Sequence, residues 1–96
     1  MPWLFEALDP EGRRITCDHN QWFAHILAGH PELKDGLQAV KNVIEQPLFI
    51  CDDADHEDRI VYYQRQPTGP LYLRVVAKLT TNDEGQVWTA HLMDGG

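Results

Sequence analysis

The chain has 96 residues and a mass of 11.0 kDa, enough for one domain with a single core and too little for a classical nucleotide-fold enzyme. Hydrophobic residues make up 43% of it and charged residues 24%, which is typical of a soluble globular domain and argues against a disordered or collagen-like chain. Fifteen acids against eight Lys and Arg residues give a net charge of −7, which on its own argues against a nucleic-acid partner.

The cysteine content and the apolar runs predict where the domain works. Cys17 and Cys51 are too few for a disulfide scaffold and form no CxxC pair, so a reducing cytoplasm is the expected location. Residues 1–5 lack the basic flank of a secretory signal, and no run approaches the roughly eighteen apolar residues of a membrane span. We therefore expect residues 1–96 to form a single cytoplasmic domain without a membrane partner.

The N-terminal third predicts a hairpin and then a helix. Mostly apolar residues 3–8 precede the turn-forming sequence Asp-Pro-Glu-Gly at 9–12, and a mixed run follows at 13–17. Asp18 and Gln21 have the spacing of a helix-capping pair. The helical face predicted beyond them carries Trp22, His25, Ile26 and Gly29.

The rest of the chain predicts a second helix and then a sheet. Pro31 favours the start of this helix, and apolar residues recur with helical spacing until Pro47 ends it. Four β-rich runs follow, at residues 48–51, 60–65, 71–79 and 86–92, and the short connections between the last three favour antiparallel neighbours. The predicted fold class is α+β, in which two N-terminal helices, with a short hairpin before them, pack on a four-stranded antiparallel sheet.

Charge is distributed unevenly along this predicted sheet. Residues 59–82 contain four cations and no acid, a local charge of +4, whereas the remainder carries −11. Basic side chains on a sheet face, next to Tyr62 or Tyr63, are typical of a cradle for the phosphates and bases of single-stranded RNA. The alternative is that they are ordinary solvated strand residues. The acidic run at 52–58 lacks the glycine and distal glutamate of a calcium loop, so we interpret it as a solvated loop and predict no metal site.

Four segments, taken in order, are similar to a known family of small nucleases. They are W-x-x-H-I-x-x-x-H-P-E-L at 22–33, R-I-V-Y-Y at 59–63, Y-L-R-V-V at 72–76 and G-Q-V-W-T-A at 85–90. Over about residues 13–92 the chain resembles the phage-associated members of the barnase/EndoU/colicin/RelE-like (BECR) nuclease-fold family. The resemblance implies two helices on a four-stranded sheet and metal-independent, cofactor-free cleavage of RNA. It also implies a toxin–antitoxin or phage-conflict setting, with single-stranded RNA and an inhibitor (antitoxin) protein as partners.

Cleavage of RNA without a metal sets the chemistry that the site must supply. One group must accept the 2′-hydroxyl proton, another must protonate the 5′ leaving oxygen, and cations must stabilise the phosphate. Because a histidine pKa of about 6.5 lies near neutral pH, we expect His25 or His30 to act as the acid or base. Arg59 and Lys78 are expected to hold the phosphate.

The remaining candidates are expected to position the substrate. Tyr63 would donate a proton or stack on a base, and Thr89 would place the substrate by hydrogen bonding. Arg65, Arg74 and Tyr62 complete the predicted set as substrate-binding residues.

Several of these residues also have a structural interpretation. His25 shares a predicted face with apolar residues and could be a core histidine, and His30 could cap the junction between the helices. Arg59 could close the acidic loop by pairing with an acid. Tyr62 and Tyr63 point to opposite sheet faces, and the sequence leaves open which of them lies in the core.

Three functional hypotheses follow. The leading one is a small metal-independent endoribonuclease, the toxin of a toxin–antitoxin or phage-conflict system. Because the chain is more acidic than expected of a free-standing ribonuclease, the second is a catalytically inactive RNA- or protein-binding module of the same fold. The third is an acidic interaction protein that pairs with another chain by sheet extension.

Overall fold

The computed structural model describes residues 3–66 and 71–94, and in this part of the chain six strands form one mixed sheet. The strands are β1 (Trp3–Leu8), β2 (Arg14–Asp18), β3 (Phe49–Asp52), β4 (Arg59–Arg65), β5 (Leu71–Leu79) and β6 (Glu84–Asp94). Their order across the sheet is β1-β2-β6-β5-β4-β3. Neighbouring strands are antiparallel except β2 and β6, which are parallel.

The predicted architecture, two N-terminal helices on a four-stranded antiparallel sheet, is therefore wrong. The N-terminal hairpin does not precede the sheet but extends it, because Arg14, Ile15 and Thr16 pair with residues 84–86 of β6. This pairing joins residues 70 positions apart in the sequence. Local periodicity carries no signal for such a contact, whereas short connections reveal antiparallel neighbours directly.

Two short helices follow the hairpin. The first, α1, joins a π-helical part, Gln21–Ile26, to a last α-helical turn, Leu27–Gly29, and the second, α2, spans Leu37–Glu45. Half of the predicted capping pair is present: Asp18 accepts a hydrogen bond of 3.1 Å from the backbone N–H of Gln21, but the Gln21 side chain donates to the Trp88 carbonyl and does not reach back. The second helix begins later than predicted. Pro31–Leu33 forms a separate 3₁₀ turn, and Gly36, a poor helix former, lies between that turn and α2.

The core lies between these helices and one face of the sheet. Trp22 and Ile26 of α1 and Val40 and Ile44 of α2 are fully buried there. They belong to one cluster with sheet residues from five strands, including Ala7, Ile15, Tyr62, Val75 and Val87. None of the described helices is both long and apolar enough to cross a membrane.

The opposite face of the sheet is called the open face here. It is formed by the residues that alternate with the core residues along β3 to β6, and its buried members, Val61 and Val76, lie outside the core cluster. A β-bulge interrupts the pairing of β5 and β6, since Val76 pairs with Thr89 but Ala77 pairs with Val87. Trp88 is the extra residue at this bulge.

A buried carboxylate ties the hairpin turn to the sheet. Asp9 is 3% exposed, and it accepts hydrogen bonds from the backbone N–H groups of Glu11 and Arg13, from the Arg13 guanidinium at 3.0 Å and from the Tyr62 hydroxyl at 2.6 Å. Burial raises the pKa of Asp9, but the bonds from Tyr62 and Arg13 together outweigh burial and leave this pKa below its ordinary value. The predicted turn is confirmed, and its aspartate is also an anchor for β4.

Candidate functional site

A row of side chains crosses the open face through four strands. Phe49, Tyr63, Arg74 and His91 are successive partners in the register of β3, β4, β5 and β6. The rings of Phe49 and Tyr63 stack with their centroids 4.7 Å apart. The Nε of Arg74 donates a hydrogen bond of 3.2 Å to the Tyr63 hydroxyl. The guanidinium of Arg74 is thus held in place between an aromatic neighbour and a histidine neighbour.

The end of α1 adds a second histidine to this row. The side-chain amide of Gln21 donates to the backbone carbonyl of Trp88, which fastens the helix to β6. Beyond Gly29, the ring of His30 stacks on His91 with a centroid distance of 5.5 Å and an interplanar angle of 25°. We call His30 and His91 the histidine pair. On the outer side of the pair, Nδ1 of His30 lies 3.4 Å from a carboxylate oxygen of Glu32.

The surroundings of His91 favour its neutral form. Partial burial lowers the pKa of His91, and the nearby charges of Arg74 and His30 lower it further, against a smaller opposing effect of Glu32. At neutral pH the His91 imidazole is therefore uncharged and can accept a proton. It stands beside a fixed guanidinium that can bind an anion.

A second cluster occupies another part of the open face. The guanidinium carbon of Arg59 lies 5.3 Å from the centroid of the Trp88 ring, and the Lys78 ammonium lies 4.7 Å from it. We call these three residues the tryptophan cluster. Lys78 and Arg74 are four positions apart on β5, and at roughly 3.4 Å per strand residue their backbones are about 14 Å apart.

The cations of the open face lack acidic partners. Arg13 and Arg14, on the hairpin, form ion pairs with Asp9, Glu11, Glu6 and Glu84. Within the described ranges no ion pair involves any of the four cations of residues 59–82, which are Arg59, Arg65, Arg74 and Lys78. The positive charge that is concentrated in one part of the sequence is therefore not neutralised by ion pairs in the fold. These four cations are available to bind an anion.

The structure brings most of the predicted site residues to this face, but not to one point. His30, Tyr63 and Arg74 lie together in the first row, and Arg59 and Lys78 lie in the tryptophan cluster. Thr89 pairs with Val76 in the register row between the two clusters. We expected Arg59 and Lys78 to hold the phosphate beside the histidines. In the structure, the cation beside the histidine pair is Arg74 instead.

Three predicted residues lie elsewhere. Tyr62 is fully buried in the core, where its hydroxyl donates to Asp9. His25 is exposed on α1 and makes no hydrogen bond or ion pair with the described residues. The prediction that His25 shares the face of Trp22 and Ile26 was wrong, because this part of the helix has the wider π geometry, which changes the angle between successive residues.

The third residue, Arg65, is exposed at the end of β4. It lines a cleft of about 440 Å³ together with Gln64, Gln66 and residues near the end of α2, among them Asn42 and Glu45. This cleft contains amides and one carboxylate but no histidine. The cleft is not the candidate site, because its lining lacks histidine, the side chain best suited to proton transfer at neutral pH.

His91 is the residue that the sequence analysis missed. In a strand it shares a face with Thr89, two positions earlier, and this spacing was the available signal. Its partnership with Arg74 depends on the register of β5 and β6, and its contact with His30 depends on where α1 ends. Neither can be read from local periodicity.

The described residues contain no group of three His, Cys, Asp or Glu side chains placed to hold a metal ion. The geometry of the histidine pair agrees with this. Two stacked rings do not direct their nitrogen lone pairs at a common point, as ligands of one metal must.

The free energy of unfolding should depend on pH through His91. Because the pKa of His91 is lowered in the folded state, the unfolded chain binds more protons just below pH 6.5, and the stability contributed at this position falls as the pH falls. We expect the stability of the wild type relative to His91→Gln to decrease from pH 7.5 to pH 5 in urea unfolding. A relative stability that stays constant, or that rises as the pH falls, would contradict the assigned environment.

Comparison of the chain with protein-family models, with curated protein sequences and with solved structures returned no match.

Proposed function

We propose that the protein is a metal-independent endoribonuclease whose reacting groups are His30, His91 and Arg74. The observation that carries the proposal is a pair of imidazoles in contact, beside a guanidinium that forms no ion pair with a described acid. Two groups that exchange protons near neutral pH, next to one fixed cation, are what cleavage of an RNA phosphodiester requires.

The proposed reaction assigns one step to each group. Neutral His91 accepts the proton of the 2′-hydroxyl, and the 2′ oxygen attacks the phosphorus. The bond from phosphorus to the 5′ oxygen breaks, and protonated His30 gives its proton to that leaving oxygen. The products are a 2′,3′-cyclic phosphate and a 5′-hydroxyl. Glu32 occupies the Nδ1 side of His30, so Nε2 carries the transferred proton.

Arg74 and Tyr63 support this exchange. The guanidinium of Arg74 stabilises the negative charge that grows on the phosphate oxygens. Tyr63 accepts the hydrogen bond from Arg74 Nε and so limits the guanidinium to one orientation, while the stack with Phe49 fixes the Tyr63 ring. In this proposal Arg74 is a catalytic residue, and Tyr63 is a positioning residue.

Single-stranded RNA is the substrate that this face would accept. An open sheet face with exposed aromatic rings and basic side chains can contact unstacked bases and phosphates together. Phe49, 47% exposed at the edge strand, would offer such a ring. The resemblance to the BECR family agrees with this substrate, and it extends the proposal to a cytoplasmic toxin held inactive by an inhibitor protein.

A second candidate function is RNA binding without cleavage. Phe49 and Trp88 are exposed aromatic residues on the same face as Arg59, Arg74 and Lys78, none of which forms an ion pair with a described acid. Stacking and phosphate contact need no proton transfer, so these features would serve a binding module equally well.

An RNA digestion in EDTA separates the two candidates. Purified protein incubated with single-stranded RNA is expected to produce fragments that end in 2′,3′-cyclic phosphate, at the same rate with and without the chelator. The same RNA with 2′-O-methyl groups is the matched control and should stay intact, because it lacks the attacking hydroxyl. If unmodified RNA is bound but not cut, the protein is a binding module and the proposed chemistry is wrong.

A further inference from the structure

We propose that the tryptophan cluster of Arg59, Lys78 and Trp88 is a second nucleotide subsite, which binds a phosphate and stacks a base of the RNA strand. The inference rests on the proposed function, since it places the scissile phosphate at the histidine pair and a nucleotide further along the same strand at the tryptophan cluster. The two clusters share the open face, and their β5 residues, Arg74 and Lys78, are about 14 Å apart along the strand. Thr89 lies in the row between them.

The charges of the cluster favour the binding of an anion. Arg59 and Lys78 are direct register partners on β4 and β5, and like charges in opposite positions repel one another. The indole ring compensates only part of this repulsion through its contact with both cations. A phosphate bound to both side chains would convert the repulsion into two favourable interactions.

The hydrogen bonding of Arg59 is a second observation that favours a ligand at the tryptophan cluster. Its Nε is buried and has no hydrogen-bond partner among the described residues, although a buried guanidinium donor is costly to leave unpaired. The hydrogen bond from the Asp55 backbone and the effect of His56 lower the pKa of Asp53, and the charge of Arg59 contributes after them in the same direction. That carboxylate accepts a hydrogen bond of 2.8 Å from the Asp55 backbone and lies 3.6 Å from His56, and it forms no ion pair with Arg59.

Trp88 supplies the stacking surface. The β-bulge takes it out of the regular pairing of β5 and β6, and bulges commonly redirect a side chain next to a functional site. The side chain is 37% exposed, so part of the indole remains available while both cations contact it. Aromatic rings stack on any of the four bases, which makes the proposed subsite independent of base identity.

If the subsite exists, substitutions in it should change how tightly RNA binds without changing the rate of the chemical step. Arg59→Gln and Lys78→Gln should raise KM for an RNA of eight nucleotides and leave kcat unchanged, because these residues do not touch the scissile phosphate. For dinucleotide substrates, which are too short to reach the tryptophan cluster, both parameters should stay at wild-type values. Trp88→Leu should weaken binding of the longer RNA about 5- to 140-fold, the equivalent of one lost stacking interaction, and Trp88→Phe should restore most of it.

A binding measurement tests the subsite independently of cleavage. With an uncleavable eight-nucleotide 2′-O-methyl RNA, Arg59→Gln and Lys78→Gln should each reduce the slope of log K against log salt concentration by about 0.7, the value for one lost phosphate contact. Lys41→Gln, which removes one positive charge from α2, is the matched control and should keep the wild-type slope.

The outcomes distinguish this subsite from the proposed nuclease activity. If the wild type binds but does not cleave, and the two charge variants still reduce the slope, the subsite stands and the endoribonuclease proposal fails. If the charge variants and Lys41→Gln give the same slope as the wild type, the subsite is wrong, whether or not the protein cleaves RNA.

Discussion

His91→Ala is expected to lower kcat for RNA cleavage about 10²- to 10⁴-fold, the range lost when a general base is removed. The folded protein holds His91 in its neutral form beside Arg74, so this residue is the one assigned to accept the 2′-hydroxyl proton. His30→Ala should cause a loss in the same range, because the leaving oxygen then departs without a proton. Rates are best compared in single-turnover experiments, where product release does not mask the chemical step.

The pH profile gives these two variants distinct signatures. Wild-type kcat/KM should fall on the acid side along a limb that reports His91 and lies below pH 6.5, because the pKa of this residue is lowered. His91→Ala should lose this acid limb, and His30→Ala should keep it at a lower rate. A merely structural role of His91 would lower the rate without changing the shape of the curve.

His25→Ala is the matched control for both variants. It removes a histidine from α1 that is exposed and has no hydrogen-bond or ion-pair partner among the described residues. It should cleave RNA at the wild-type rate. Equal losses in the His25, His30 and His91 variants would show that the histidine pair has no special role in the reaction.

Asp9→Ala is expected to cause the largest loss of stability, about 3–5 kcal/mol in the free energy of unfolding. The substitution removes the acceptor of four hydrogen bonds and leaves the buried Tyr62 hydroxyl without a partner. For a domain of this size each kcal/mol lowers Tm by roughly 4–8 °C. Urea and thermal unfolding, followed by circular dichroism, give the two values.

Two further variants keep this prediction testable if Asp9→Ala does not fold. Tyr62→Phe removes only the hydroxyl, and we expect it to cost about 1.5–3 kcal/mol, the range for a hydrogen bond to a charged group. Glu11→Ala removes the exposed partner of Arg13 in the same turn and should cost less than about 1 kcal/mol. If Tyr62→Phe is as stable as the wild type, the bond to Asp9 does not anchor β4 to the hairpin.

The same carboxylate predicts acid sensitivity. The pKa of Asp9 is lower in the folded protein than in the unfolded chain, so its contribution to stability is fully present above the ordinary value of about 3.9. That contribution is lost as the pH falls through the folded-state pKa. Asp9→Asn should therefore unfold with a weaker dependence on acid than the wild type does.

Local patterns predicted much of the secondary structure and little of its arrangement. The turn at 9–12, the cap at Asp18 and the strands after Pro47 depend on neighbours within a few residues, and these predictions are confirmed with shifted ends. The six-stranded mixed sheet depends on the parallel pairing of β2 with β6, and this is a contact between distant segments. Antiparallel pairs joined by short loops can be inferred from sequence, but such a parallel pair cannot.

The candidate site shows the same difference between features that local sequence predicts and features that depend on distant contacts. The alternation of side chains placed Arg74 and Lys78 on one side of β5. The sum of charges identified residues 59–82 as the basic part of an acidic chain. The sequence did not reveal that Arg74 lies next to His91, because that depends on strand register. Nor did it reveal that the wider geometry of α1 leaves His25 exposed while His30, after the end of the helix, contacts the sheet.

The most direct test of the proposed function uses a pool of random-sequence DNA oligonucleotides that carry one ribonucleotide at a fixed position, incubated with the protein in EDTA. Since only that position has a 2′-hydroxyl, we predict a single cut on its 3′ side, a 2′,3′-cyclic phosphate at the new end, and cutting by His91→Ala that is slower about 10²- to 10⁴-fold. Cutting at positions other than the ribonucleotide, or equal cutting by the wild type and His91→Ala, would contradict the assignment of the histidine pair as the cleavage site.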